Sequence, residues 1–186
     1  MVSTENYRRI SERDLAPKET GSRIKRLVAD LRSNDGDTRR EARKALVFIG
    51  KPAADFLIPM LKDPDDDVRW EAAKAMCEIA DPRAASDLVN LLMDHNFGVR
   101  WLAAEALISI GRDALEPLLQ GLTKHPESSW LRRGALHTLH DLRRKVPDLK
   151  EVAGPVITAL EGVEPEIMCM EAAYSALEKI RGPAHK

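Results

Sequence analysis

Apolar positions recur along this chain at helical spacing, in short amphipathic stretches separated by polar breaks. Ile24, Leu27, Val28 and Leu31 share one face, which predicts a helix capped by Ser22 and running through Leu31. The turn Asn34-Asp35-Gly36-Asp37 ends in a capping residue and starts a second helix, which runs through Ile49 and stops at Gly50. Pro52 opens the next helix, in the first turn, where a missing N–H costs nothing. The cycle returns after Asp63-Pro64-Asp65-Asp66, Asp81-Pro82, Asp94-His95-Asn96, Gly111 and His125-Pro126-Glu127-Ser128. Val146-Pro147-Asp148 and Val163-Glu164-Pro165 frame a last pair. The pattern predicts ten main helices in five antiparallel pairs.

The second helix of each pair carries one motif. It reads Asp37-Thr-Arg-Arg-Glu-Ala-Arg-Lys-Ala-Leu46, Asp67-Val-Arg-Trp-Glu-Ala-Ala-Lys-Ala-Met76, Gly98-Val-Arg-Trp-Leu-Ala-Ala-Glu-Ala-Leu107, Trp130-Leu-Arg-Arg-Gly-Ala-Leu-His-Thr-Leu139 and, more loosely, Met168-Cys-Met-Glu-Ala-Ala-Tyr-Ser-Ala-Leu177. The anchors Leu46, Met76, Leu107, Leu139 and Leu177 are spaced by 30, 31, 32 and 38 residues. A period in this range marks a solenoid, because each unit is too small to bury its own apolar face and stacks on its neighbours. The fifth unit is longer and has Met170 at the arginine position, a divergence suited to capping an open stack. Residues 22–182 therefore read as the repeat domain. Residues 1–21 read as an N-terminal arm, with a linker at Ala16–Gly21 and a stretch, Tyr7 to Leu15, suited to a capping helix or a frayed end. Residues 183–186 are a tail.

The string from Asp65 through Val68-Arg69-Trp70-Glu71-Ala72-Ala73-Lys74-Ala75-Met76-Cys77-Glu78-Ile79-Ala80-Asp81 to Ala85 resembles a HEAT repeat of the short type, also called the phycobilisome-lyase HEAT-like repeat. The second and third units match that motif closely, the first well, the fourth in part and the fifth poorly. The resemblance implies an all-α, right-handed α-α superhelix of about five helix pairs, with the second helices lining its concave side. It is specific for fold and unspecific for activity.

Independently of the family, Val68, Ala72, Ala75, Met76 and Ile79 fall on one helical face, and small alanines allow close helix approach. Arg39, Arg69, Arg100 and Arg132 share one phase in successive units and read as a structural ladder, with Asp35, Asp63 and Asp94 as acidic partners. The position after each ladder arginine should face outward: Arg40, Trp70, Trp101 and Arg133. The next row is Glu41, Glu71, Leu102 and Gly134. Lys44, Lys74, Glu105 and His137 follow one turn on, and then Phe48, Glu78, Ser109 and Asp141. Trp70 and Trp101 would sit side by side at the middle of the surface. Outward tryptophan flanked by arginine is the composition of a binding hot spot; packing against the next unit is the competing reading. Trp130 takes the slot of Asp67 and Gly98, at a rim or in a turn.

Composition narrows the function. Twenty-nine basic and thirty acidic residues give a net charge of −1, without the basic excess that marks nucleic-acid binders. Cys77 and Cys169 lie apart in apolar helices and read as reduced structural thiols. No N-terminal apolar core and no run long enough to span a bilayer is present, so a cytoplasmic location is the expectation and no membrane partner is. His137 and Asp141, four apart on one face, could orient an imidazole for base or metal chemistry; a solvated pair is the plainer reading, and no metal or cofactor is expected. Some HEAT-like proteins are di-iron hydroxylases with His-Glu dipeptides, which this chain lacks. Others are DNA glycosylases with concave tryptophans and a carboxylate, faintly echoed by Trp101 and Glu105, and bilin lyases share the repeat type.

The expected function is non-catalytic binding of a protein or peptide through Arg40, Lys44, Trp70, Glu71, Lys74, Trp101, Glu105, Arg133, His137 and Asp141. An enzyme or enzyme subunit of the bilin-lyase or glycosylase kind is the alternative. Nothing in the pattern specifies an oligomeric state.

Overall fold

The computed structural model describes residues 17–182, and among them lie ten α-helices and no strand. They are α1 (Pro17–Asp30), α2 (Gly36–Ile49), α3 (Lys51–Leu57), α4 (Asp66–Ile79), α5 (Ala85–Leu91), α6 (Phe97–Ile110), α7 (Leu115–Lys124), α8 (Ser129–Lys145), α9 (Lys150–Leu160) and α10 (Pro165–Arg181). Short 3-10 turns at Ile58–Lys62, Pro82–Ala84, Gly111–Ala114 and Pro147–Leu149 extend or introduce the first helices. The expected Tyr7–Leu15 element and the 183–186 tail lie outside the described residues.

Local chemistry sets the boundaries. Each of the helices α2, α4, α6 and α8 has a side-chain cap: Asp35, Asp65, Asn96 and Ser128 accept hydrogen bonds from backbone N–H groups of the first turn. The cap of α2 is thus Asp35 rather than Asp37, whose carboxylate lies inside the first turn. Helix α1 begins at Pro17, before the predicted Ser22 cap, so the segment read as a linker is mostly helical. Proline is at ease in a first turn, and Ile24, Leu27 and Leu31 bury the face that holds the helix down. Gly50 and Gly111 end α2 and α6 with φ of 76° and 78°, and Ala80 ends α4 in the left-handed region at 51°. A β-carbon there costs about 1 kcal/mol or more.

Helices α1, α3, α5 and α7 form one layer and α2, α4, α6 and α8 the other. The core runs between them as a continuous row of aliphatic side chains, among them Leu46, Leu57, Met76, Leu88, Leu107, Leu118 and Leu139, all fully buried. Helices α4 and α6 approach closely because Ala72, Ala73, Ala75, Ala103 and Ala106 expose nothing. Gly121 and Gly134 permit two further approaches, since a β-carbon would stand 2.4 Å from Val89 Cγ1 or 2.7 Å from Leu92 Cδ2.

The last pair breaks the stacking rule. Helix α9 packs along α8, and α10 packs along α7, so the two layers exchange and α7 to α10 close into a four-helix ring. Arg181 at the end of α10 meets Glu116 at the start of α7 at 2.7 Å, and Arg132 of α8 meets Glu166 of α10 at 2.5 Å. The continuous face built from second helices therefore ends at α8.

Candidate functional site

The ladder arginines fold back on the turn that precedes their own helix. Nη1 of Arg39 donates to the Ser33 carbonyl at 2.8 Å, and that of Arg69 to the Asp63 and Pro64 carbonyls at 2.8 and 3.0 Å. Nη1 of Arg100 donates to the Asp94 and His95 carbonyls at 2.7 and 3.0 Å, and that of Arg132 to the Pro126 carbonyl. Each guanidinium closes a turn whose carbonyls no helix satisfies. The second half of each fork reaches the following unit. Arg39 meets Asp67 at 3.0 Å, Arg69 meets Asp94 through Nε at 2.6 Å, and Arg132 meets Glu166. The Arg69–Asp94 pair is buried, and hydrogen bonding to Asp94 holds the guanidinium pKa above its ordinary value. Asp35 and Asp63, read as partners, act otherwise: Asp35 is a helix cap and Asp63 pairs with Arg32.

Arg100 departs from this rule. Among the described residues it has no carboxylate partner; its guanidinium lies 4.5 Å from the centroid of the Trp130 ring and 5.7 Å from that of Phe97. Trp130 occupies the slot where Asp67 receives Arg39. One aromatic substitution thus exchanges an ion pair for a cation–π contact.

The sequence-selected surface residues divide into three groups. On α2, Arg40 and Lys44 are exposed and pair locally, with Asp37 at 2.9 Å and Glu41 at 3.0 Å. Glu71 is a correction: it is buried, only 6% exposed, and takes an ion pair from Arg43 instead of facing solvent. Its row also holds Leu102 and Gly134, and an apolar and a vanishing side chain at equivalent positions were the signal for a covered site. Lys74 on α4 is half-buried and Arg133 on α8 exposed, and neither has an ion-pair partner among the described residues.

The two tryptophans behave differently. Trp70 packs against the core, with Nε1 only 3.3 Å from where a β-carbon on Gly98 would stand, and Arg43 lies 5.5 Å from its ring centroid. Trp101 is 49% exposed. Its ring stacks on His137 with centroids 5.0 Å apart and planes 25° from parallel. His137 Nε2 is 3.0 Å from Glu105 Oε1. The expected His137–Asp141 pair is therefore replaced: Asp141 engages Arg144 at 2.5 Å, and His137 turns to the neighbouring helix. Trp130, expected at a rim or in a turn, lies in the first turn of α8, and Arg100 keeps its ladder position; Phe97 was missed because it begins its helix, outside the rows taken as outward.

Burial pushes the Cys77 thiol up to about 11, and Cys169 upward as well, so both stay protonated and unreactive near neutrality. Among the described residues no three His, Cys, Asp or Glu side chains gather as a metal site, and no helix is long and apolar enough to cross a membrane.

Residues 54–140 match the family model for HEAT repeats. No curated protein matches the sequence. Among solved structures the chain is similar to the complex of CpcE and CpcF of phycocyanin lyase from Nostoc sp. PCC7120, at 24% identity and a TM-score of 0.58, covering 84% of this chain and 98% of that one. It is also similar to an engineered protein, at 22% identity and a TM-score of 0.48, over 82% of this chain and 80% of that one. A designed armadillo repeat protein in complex with the peptide (KR)4 aligns at 21% identity and a TM-score of 0.40, over 88% and 93% of the two chains. The similarity to the lyase structure establishes the shared solenoid fold.

Proposed function

Because the chain is a HEAT-repeat protein, whose stacked second helices make one long face, we propose that it is a non-catalytic scaffold that binds a protein or peptide there. The observation that carries this reading is Trp101: a large ring, 49% exposed, held in a fixed orientation by stacking on His137. A ring held rigid in water supplies apolar area at little entropic cost when a partner covers it. Lys74 and Arg133 stand to either side in the neighbouring units, unpaired among the described residues, and would set orientation and encounter rate. Arg40 and Lys44, already paired on α2, belong to the rim. The lyase activity named for the similar structure belongs to that protein; at 24% identity the likeness is one of fold.

The test is capture from native lysate, identification of the retained protein by mass spectrometry, and titration of that purified protein by calorimetry. Trp101→Ala should weaken binding about tenfold or more while the helical circular dichroism stays unchanged. Undiminished binding by a folded Trp101→Ala protein would remove this face as the docking surface.

A further inference from the structure

Three of the eight aromatic side chains in the sequence, Phe97, Trp101 and Trp130, are exposed at a single seam, between α6 and α8, at 71%, 49% and 44%. Phe97 and Trp101 lie one turn apart on α6, and Trp130 opens α8. Arg100 stands between the Phe97 and Trp130 rings, with Nη1 fixed by two carbonyls and with no carboxylate on its other nitrogens among the described residues. Arg133, one turn into α8, is exposed and likewise unpaired there. The other ladder arginines all hold an acid. The seam thus presents aromatic faces beside two guanidinium groups that have no carboxylate among the described residues.

Resting on the binding reading above, we propose that this seam takes a short acidic segment of a protein partner, carrying an apolar or aromatic anchor residue. The anchor would cover Trp101 and Phe97. Its flanking carboxylates would complete the forks of Arg100 and Arg133, since a carboxylate accepts two parallel N–H bonds from one guanidinium. The stacked Arg100 is already ordered, so little rotamer freedom is lost on binding. Single-stranded nucleic acid also combines with aromatic rings and arginine. Its phosphates recur at every nucleotide, however, and would meet Glu78, Glu105 and Asp141 on the same face. A peptide can place its few charges only where the two arginines wait.

Random peptides of about a dozen residues, displayed on phage and selected on the whole protein, supply the probe. The expected result is enrichment of Asp and Glu around a Trp, Phe or Leu. A synthetic copy of the selected peptide should then bind about threefold to tenfold more weakly to Arg100→Gln or Arg133→Gln, and about tenfold or more weakly to Trp101→Ala. Raising the salt from about 0.1 M to about 1 M should weaken it further, as the screening length falls from ~10 to ~3 Å. Neutral or basic selected peptides, or indifference to both arginine substitutions in folded variants, would overturn the acidic-segment proposal and leave peptide binding standing. Selection of no peptide would overturn both readings, and binding of an oligothymidylate in preference to the peptide would replace them with nucleic acid.

Discussion

The seam between α4 and α6 and the seam between α6 and α8 are built from the same repeat positions and end in opposite states. At the first, Trp70 of α4 lies inward over Gly98 of α6, while Glu71 beside it is buried and turned away from that seam, toward Arg43 of α2. At the second, Trp101 lies outward on His137, and the position equivalent to Glu71 is Leu102. The residue that decides is the one in the following unit. Glycine at 98 leaves room for an indole to lie across the seam. The equivalent slot holds Trp130, which stacks on Arg100, and Trp101 stacks on His137 instead. Whether a repeat residue packs or binds is thus set by its neighbour, which is the general condition of a stack whose units touch only the next unit.

Four experiments separate the seams, beginning with the largest effect. Arg69→Ala leaves Asp94 buried without its cation and should cost about 3–5 kcal/mol in urea unfolding. Arg100→Ala at the second seam should cost only about 1 kcal/mol, since it removes a cation–π contact and carbonyl bonds but strands no acid. Equal losses would erase the distinction. Next, Trp70→Ala should lower stability by about 2–3 kcal/mol, whereas Trp101→Ala should stay within about 0.5–1 kcal/mol of the parent; the reverse order would exchange packing and binding roles.

Gly98→Leu converts the first seam into the second. The new side chain occupies the space under Trp70, which should turn toward solvent, with a red-shifted tryptophan emission and a loss of about 1–3 kcal/mol. The smallest effect reads the tightness of that seam. Cys77 Sγ lies 3.4 Å from the carbonyls of Ala73 and Leu102, and its pKa is pushed up to about 11, so the thiolate forms only far above neutrality. Alkylation at mildly alkaline pH should run on the order of a hundredfold slower than in the unfolded chain. Gly98→Leu should speed it.

Acid acts on the first seam and on the turn between α4 and α5, through two carboxyls. Asn96 donates to Asp66 at 2.7 Å and holds that carboxyl below its usual value, while Arg83 does the same to Asp81. A depressed folded-state pKa stabilises at pH above the ordinary value near 3.8 and ceases to do so as pH falls through the lower one. Unfolding should therefore steepen below about pH 4.

Much of this was legible in the chain. A period near 31 residues, capping residues before four of the second helices, glycines after α2 and α6 and alanines on the inner faces sufficed for helices, pairs and stack, because those signals are local or repeat at fixed distance. Gly50 and Gly111 were readable as terminators, and the tryptophans as the unusual residues. The starting point of α1 was misplaced because Gly21 looked like punctuation, while burial of Ile24, Leu27 and Leu31 outweighs one glycine's propensity.

The amino-acid order alone determined that this protein is an all-α solenoid with a ladder of arginines and a few prominent aromatics, since periodicity and capping depend on neighbours in the chain. Only the tertiary structure decided that Glu71 is covered, that Trp70 packs while Trp101 faces out, that Arg100 takes an indole in place of an acid, and that α9 and α10 trade layers at the end of the stack. Each of those outcomes depends on volume and charge supplied by a residue about thirty positions away or more, and no helical pattern read along one element carries that information.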